Sequence, residues 1–260
     1  MSRYERQQYE DIDISQVDAA RTPICQLKYD GIWCAADVAQ DGHIRYFSRN
    51  GNLKKEERTT RRIPQGLYVG ELMYGSEWSK EAGREGKFYV FDLVETKSGE
   101  HKNESYLSRY TRLADFHSCD LLPNHWHLVP NYPTAQSLDI WKLLVESTKF
   151  EGMVFRHPAD NWHQPLLRSK YELTVDLYIT GYTEGEGRLS GSLGAVKASY
   201  SPVGIGPELT IGGGFSDRVR KEIWANRSAY VGRCFTVTAK KKFSSGLLRH
   251  PNFVGWHQEK

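Results

Sequence analysis

Lys28-Tyr29-Asp30-Gly31 sets a lysine directly before an Asp-Gly turn. A lysine amine attacks only when deprotonated, and a free lysine is protonated near neutral pH. To attack a phosphorus centre it needs neighbouring cations, a metal or burial to lower its pKa. It also needs a rigid mount, such as a strand end, to hold it against the reacting atom. Asp30 and Gly31 suit the tight turn that follows, with Gly31 free to take positive φ. The same four residues equally describe an ordinary surface lysine before a turn, so the pattern alone decides little.

Other residues carry complementary chemistry. Glu71 and Glu151 are candidate ligands for Mg²⁺ or its ordered water, since Mg²⁺ keeps several waters and takes few carboxylates. Either one alone reads as well as a solvated strand residue. Arg49, Arg168 and Lys170 suit phosphate oxygens, and each is also an unremarkable surface charge. Phe91 can stack on a purine base or simply fill a core. Lys54, Lys55, Arg58, Arg61 and Arg62 form one basic run and Lys240, Lys241 and Lys242 another. Such runs are solvated faces or phosphate contacts. His125-Trp126-His127, flanked by Pro123, Asn124 and Pro130, is expected in a loop without a third metal ligand. Glycines 212–214 have no G-K-[ST] after them, so a barrel turn is expected there rather than a phosphate cradle.

The elements that must position these residues follow from periodicity. Strands are expected at Ile24–Lys28, Ile32–Ala39 and His43–Phe47, with Asp41-Gly42 as a hairpin turn. More follow at Leu67–Met73, Lys87–Val94, Gly152–Arg156 and Leu166–Lys170. Helical spacing marks Tyr106–His117, with Leu107, Tyr110, Leu113, Ala114 and Phe116 facing a core. It also marks Ser137–Thr148, with Leu138, Trp141, Leu144 and Val145. Beyond about Thr174 strands shorten and glycine turns crowd in, with one helix at Ser216–Asn226 capped by Ser216. The expectation is an α+β first domain of antiparallel sheets with helices, residues 1–172. A small OB-fold β-barrel follows at residues 173–260.

Composition bounds the class. The 260 residues are 39% hydrophobic and carry net charge +3, which is globular and too mildly basic to name a partner. Cys25, Cys34, Cys119 and Cys234 form no C-x-x-C pair, which argues against zinc and for free thiols in a reducing compartment. The polar start and the lack of a long apolar run predict a soluble intracellular, cytoplasmic protein with no membrane association.

Taken together, the motifs resemble the covalent nucleotidyltransferase superfamily, most closely the ATP-dependent DNA ligases, from about Ile24 to the C-terminus. Lys28-Tyr29-Asp30-Gly31 is similar to the family's first motif, which implies that Lys28 carries AMP through a phosphoramidate bond with Asp30 and Gly31 at the nucleotide. Ser48-Arg49-Asn50-Gly51 implies an Arg49 contact to phosphate and nucleotide. Leu67–Leu72 implies that Glu71 meets ribose or metal water. Phe88–Leu93 implies Phe91 on adenine, Phe150–Val154 implies Glu151 at a metal, and Arg168-Ser169-Lys170 implies Lys170 at the α-phosphate. Asp176–Gly181, Leu193–Val196, Gly213–Asp217 and Leu248-Arg249-His250-Pro251-Asn252-Phe253 resemble ligase OB segments, the last being fairly specific to DNA ligases.

Three positions depart from the family pattern. Trp33 stands where arginine is usual, Arg168 where lysine is usual, and His257-Gln258-Glu259-Lys260 where the final motif reads R-x-D-K. The resemblance implies a monomeric minimal ligase sealing nicked duplex DNA with ATP and Mg²⁺ (or Mn²⁺), of use in replication, repair or recombination. Lys260 would join the nucleotide site. DNA contacts are expected from Lys54, Lys55, Lys240, Lys241, Lys242 and Arg249, each of which also reads as a solvated charge. The alternatives are an RNA ligase or capping-type guanylyltransferase using the same lysine, and a non-catalytic OB protein.

Overall fold

The computed structural model describes residues 4–73, 86–146 and 150–257. The chain divides into two units, Met1–Lys170 and Tyr171–Lys260.

Unit 1 is built on two sheets. The first orders Tyr9–Asp11 (β1), Ile24–Tyr29 (β2), Tyr132–Pro133 (β10), Phe150–Arg156 (β11) and Leu166–Lys170 (β12) as β1-β12-β11-β2-β10. The second comprises Ile32–Val38 (β3), His43–Ser48 (β4), Leu53–Arg58 (β5), Gly66–Met73 (β6), Lys87–Thr96 (β7), Gly99–Glu100 (β8) and Trp126–Leu128 (β9). Its order is β5-β4-β3-β6-β7-β8, with β9 beside β7. The pairing is not wholly antiparallel: β1 runs parallel to β12 and β9 parallel to β7. His125-Trp126-His127 therefore reaches into a strand rather than lying in a loop, with Trp126 in the core because its indole packs among Tyr46, Tyr68 and Phe88.

The second sheet is buried on both faces, and the two-residue period sorts its side chains. Cys34, Ala36, Val38, Tyr68, Leu72 and Phe88 enter one core. Trp33, Ala35, Leu67 and Val69 enter another, against which Phe91 packs. Glu71 follows Leu67 and Val69 at even spacing, so it stands on the Phe91 face. In the first sheet, Cys25, Met153 and Phe155 form a core with Leu27 packed on it. The intervening residues Gln26, Lys28, Val154 and Arg156 must then face the other way.

Helix α1, Tyr106–Ser118, lies against β7 and is capped by the Ser105 hydroxyl, which accepts from Ser108 N at 3.2 Å. Its buried residues are Tyr106, Arg109 and Leu113, whereas Leu107 is exposed. The apolar stripe misleads because Arg109 is itself fully buried, its guanidinium donating to Asp92 at 2.9 and 3.0 Å. Helix α2, Ser137–Glu146, likewise exposes Leu138 and packs Ile140 and Trp141 inward; the side chains of Leu144 and Val145 fall outside the described residues.

Unit 2 has a five-stranded sheet. Leu173–Glu184 (β13), Leu193–Ser199 (β14), Leu209–Ile211 (β15), Cys234–Ala239 (β16) and Asn252–Trp256 (β19) take the order β15-β14-β13-β16-β19. Lys241–Lys242 (β17) and Leu248–Arg249 (β18) form a separate ribbon. The expected closed barrel is not formed among the described residues. The edge strands meet only through one parallel bridge, Gly213 to Asn252, because β15 is three residues long and ends before it can pair with β19. Helix α3, Asp217–Ala225, starts at Ser216, whose hydroxyl accepts from Val219 N.

Candidate active site

Strand register in the first sheet sets one row of side chains. Gly152 pairs with Lys28 on β2 and with Lys170 on β12, so the two lysines flank a residue without a side chain. Paired residues project to the same face. Gly152 is required there: a Cβ would lie 2.0 Å from Ser169 O and 2.8 Å from the Lys170 Cα. The β11–β2 register shifts between Phe150 and Gly152, leaving Glu151 as a bulge. A bulge re-aims a side chain, and here the Glu151 carboxylate accepts directly from Lys28 Nζ. Both side chains are largely withdrawn from solvent, at 16% and 12% exposure.

The second sheet supplies Glu71, whose Oε1 accepts from Gly31 N at 3.1 Å. Gly31 does not take positive φ. Its role is close approach, since a Cβ would sit 2.6 Å from Leu72 O. The β2–β3 turn therefore presses against β6 and brings Lys28 near Glu71. Burial pushes the Glu71 carboxyl up to about 7, although Lys28 and the Gly31 N–H pull it down.

An open cleft joins Lys28 and Glu71. It is lined by Lys28, Gln26 and Tyr29 from β2, Glu71 from β6 and Phe91 from β7, with Tyr9, Val154 and Arg156 among the rest. Thus Lys28, Glu71 and Phe91 come together in one cleft, with Glu151 on Lys28 and Lys170 in the same row two strands away. Asp30 lies in the β2–β3 turn. Arg168 is turned to Asp11, donating at 2.7 and 2.9 Å in a bidentate pair. Arg49 is exposed in the turn after β4. Trp33, in the family's arginine position, is packed in the same core as Phe91. Lys260, with Gln258 and Glu259, lies outside the described residues.

The basic residues fall into two groups, one in each unit. Lys54 is exposed. Lys55 pairs with Glu57 at 2.6 Å, in a group where Tyr46 and His125 also meet Glu57. In unit 2, Lys241 lies over Phe243 and Lys242 over Tyr200, with Arg249 opposite Lys241 on the ribbon and Lys240 just before it.

Sequence reasoning passed over Tyr9, Gln26 and Arg156. The last two had a signal: both alternate with core residues on strands already assigned to the site. Tyr9 had none, because Gln8-Tyr9-Glu10-Asp11 shows no apolar period. Arg156 is 2% exposed, and its Nε and Nη1 lack hydrogen-bond partners although they lie close to Asp92 and over Tyr106. An unsatisfied buried guanidinium lining a cleft is a costly arrangement that a ligand can relieve.

Residues 184–256 match the family model described as DNA ligase OB-like domain. Among solved structures, a Lig E DNA ligase is similar at TM-score 0.71 and 18% identity, covering 97% of this chain and 99% of that one. A structure titled Pmar-Lig_Pre. is similar at 0.69 and 20%, covering 98% and 68%. The ligase domain of LigD from M. tuberculosis reaches 0.52 and 15%, covering 99% and 96%. No curated protein matches the chain. The fold is that of these DNA ligase structures, and the OB-like match falls within unit 2. No helix among the described residues is long and apolar enough to cross a membrane.

Proposed function

We propose, from a chain with the DNA ligase fold and a DNA ligase OB-like domain, that it is an ATP-dependent DNA ligase that seals nicks in duplex DNA. The observation that carries this reading is the convergence of Lys28, Glu71 and Phe91 on one cleft from separate strands of two sheets. Residues 1–172 would carry the transfer chemistry and 173–260 would help to hold DNA. A structure similar to this one is titled as mycobacterial DNA ligase D complexed with ATP, which favours ATP as the donor here. We place the protein inside the cell as a monomer.

Lys28 Nζ attacks the α-phosphorus of ATP. The N–P bond forms as the Pα–O bond to the β-phosphate breaks, and pyrophosphate departs with the electron pair. The ammonium must first lose a proton, and Glu151 is the carboxylate in contact with it. Lys170, across Gly152, offers charge to the phosphoryl oxygens. Phe91 offers a ring face to the base. AMP then passes to a 5′-phosphate, and a 3′-hydroxyl displaces AMP to close the strand. All three steps are in-line transfers in which positioning and charge dominate.

Glu71 and Glu151, both close to Lys28, would be the residues to hold Mg²⁺, which is satisfied by few carboxylates and completes its shell with water and phosphate oxygens. When bound, it would neutralise charge developing on the phosphates. DNA would be met by basic side chains including Lys54, Lys240, Lys241, Lys242 and Arg249, giving binding that weakens steeply with salt.

The test is incubation with Mg²⁺ and α-labelled ATP or GTP, followed by a nicked DNA or nicked RNA duplex. An acid-labile adduct from ATP and sealing of the DNA nick are expected. No adduct from either nucleotide defeats the proposal, and sealing of RNA alone would reassign the substrate.

A further inference from the structure

The segment before β2 is anchored to both sheets of unit 1. At one end Tyr4 stacks on Phe47 of β4, with ring centroids 4.3 Å apart, and its hydroxyl donates to Asp37 at 3.5 Å. At the other, β1 is fixed along β12 by hydrogen bonds from Leu166 N to Gln8 O and from Ile12 N to Arg168 O, both 2.9 Å. The register sets Tyr9 beside Leu166 and Asp11 beside Arg168. Lys170 follows Arg168 at even spacing, so Tyr9 and Asp11 lie on the face that carries Lys28 and Lys170, and Glu10 lies on the other.

Tyr9 accordingly lines the cleft with Lys28 and Glu71. Its ring has the Arg6 guanidinium 4.9 Å and the Arg168 guanidinium 4.8 Å from its centroid. Arg168 is in turn held by both oxygens of Asp11. This is a supported side chain rather than a loose one: cations hold the ring, and a carboxylate on the same strand holds one of those cations. Burial raises the phenol pKa, with Lys28, Glu71 and Arg156 all within electrostatic reach, so the hydroxyl keeps its proton and remains a donor.

We infer that β1 is part of the reaction site, with the Tyr9 hydroxyl donating a hydrogen bond to a phosphoryl oxygen held beside Lys28. This rests on the nucleotide reading of the cleft proposed above. The oxygen can belong to the nucleotide triphosphate or to the 5′-phosphate of a nick, and separate assays distinguish them.

The experiment compares wild type, Tyr9→Phe and Glu10→Gln in the full chain. One arm follows lysyl adduct formation against ATP concentration, and the other follows sealing of a pre-adenylated DNA nick. Melting is measured on all three proteins. Tyr9→Phe keeps the ring between the guanidiniums, so its melting should match wild type. Loss of a hydrogen bond to a charged oxygen should slow it about ten- to a hundredfold. A triphosphate contact slows the first arm, and a nick-phosphate contact slows the second. Glu10→Gln should behave as wild type in both. Equal rates for Tyr9→Phe and wild type in both arms overturn the inference alone, as does an equal loss in Glu10→Gln. Absence of adduct and of sealing in wild type removes the proposed function and the inference with it.

Discussion

Two kinds of charged cluster in unit 1 are built from the same residue types and behave in opposite ways. Around Asp92, both carboxylate oxygens accept from Arg109, and the pair has no solvent exposure. Around Glu57, Tyr46, Lys55 and His125 converge on one carboxylate. These clusters are closed, with each charge answered by a neighbour. Around Lys28, Glu71 lines an open cleft and Glu151 meets the lysine, and Arg156, which also lines the cleft, reaches Asp92 only at 3.7 Å and leaves two nitrogens without hydrogen-bond partners. The difference separates charge that holds the fold from charge held ready for a phosphate-bearing ligand.

The contrast can be broken by exchanging the consequences of mutation. Lys28→Ala should reduce labelling by ATP to background, and because it also takes away the partner of the largely buried Glu151 carboxylate its melting should fall, though by less than that of a change at the fully buried Asp92 pair. Labelling gels and calorimetry check both halves. Arg109→Ala should weigh the other way. It strands a buried carboxylate and should cost about 3–5 kcal/mol in a denaturant melt. Gly152→Ala links the two kinds of behaviour. Its Cβ would collide with Ser169 O, prising β11 from β12. Overpacking of this kind costs about 1–3 kcal/mol, and adduct formation should slow because Lys28 and Lys170 lose their common row.

Glu57→Gln gives the smallest effect, about 1 kcal/mol at neutral pH. Burial alone would raise the Glu57 pKa, but hydrogen bonds from His125, Lys55 and Tyr46 outweigh it and hold the group at about 2, below its ordinary 4.5. A depressed carboxylate pKa contributes stability that is present above about pH 4.5 and lost as pH falls toward 2. The Glu57→Gln protein should therefore lose less stability than wild type across that interval in acid melts, and an unchanged acid profile would remove Glu57 from the closed class.

The same contrast explains what could be read in the sequence. Strands with a clear period were legible: Ile24–Tyr29, Ile32–Val38 and Lys87–Thr96 lie close to where alternation and turns put them. Arg109 was not, because a reader assigns a charged helical residue to the solvent side, and only the distant Asp92 makes its burial tolerable. The Glu151 bulge and the reason for Gly31 depend on how closely neighbouring strands approach, which no local pattern encodes. Residues 9–11 form a strand because β12 offers them an edge, not because they favour one. Among the described residues the unit 2 sheet stays open, because the three-residue β15 limits what can pair.

The most direct measurement is peptide mapping of the ATP-labelled protein under conditions that preserve phosphoramidates. The account predicts AMP on the peptide containing Lys28, attached at that lysine, and no label on Lys170. Label at Lys170 or any other residue, with Lys28 unmodified, would contradict it.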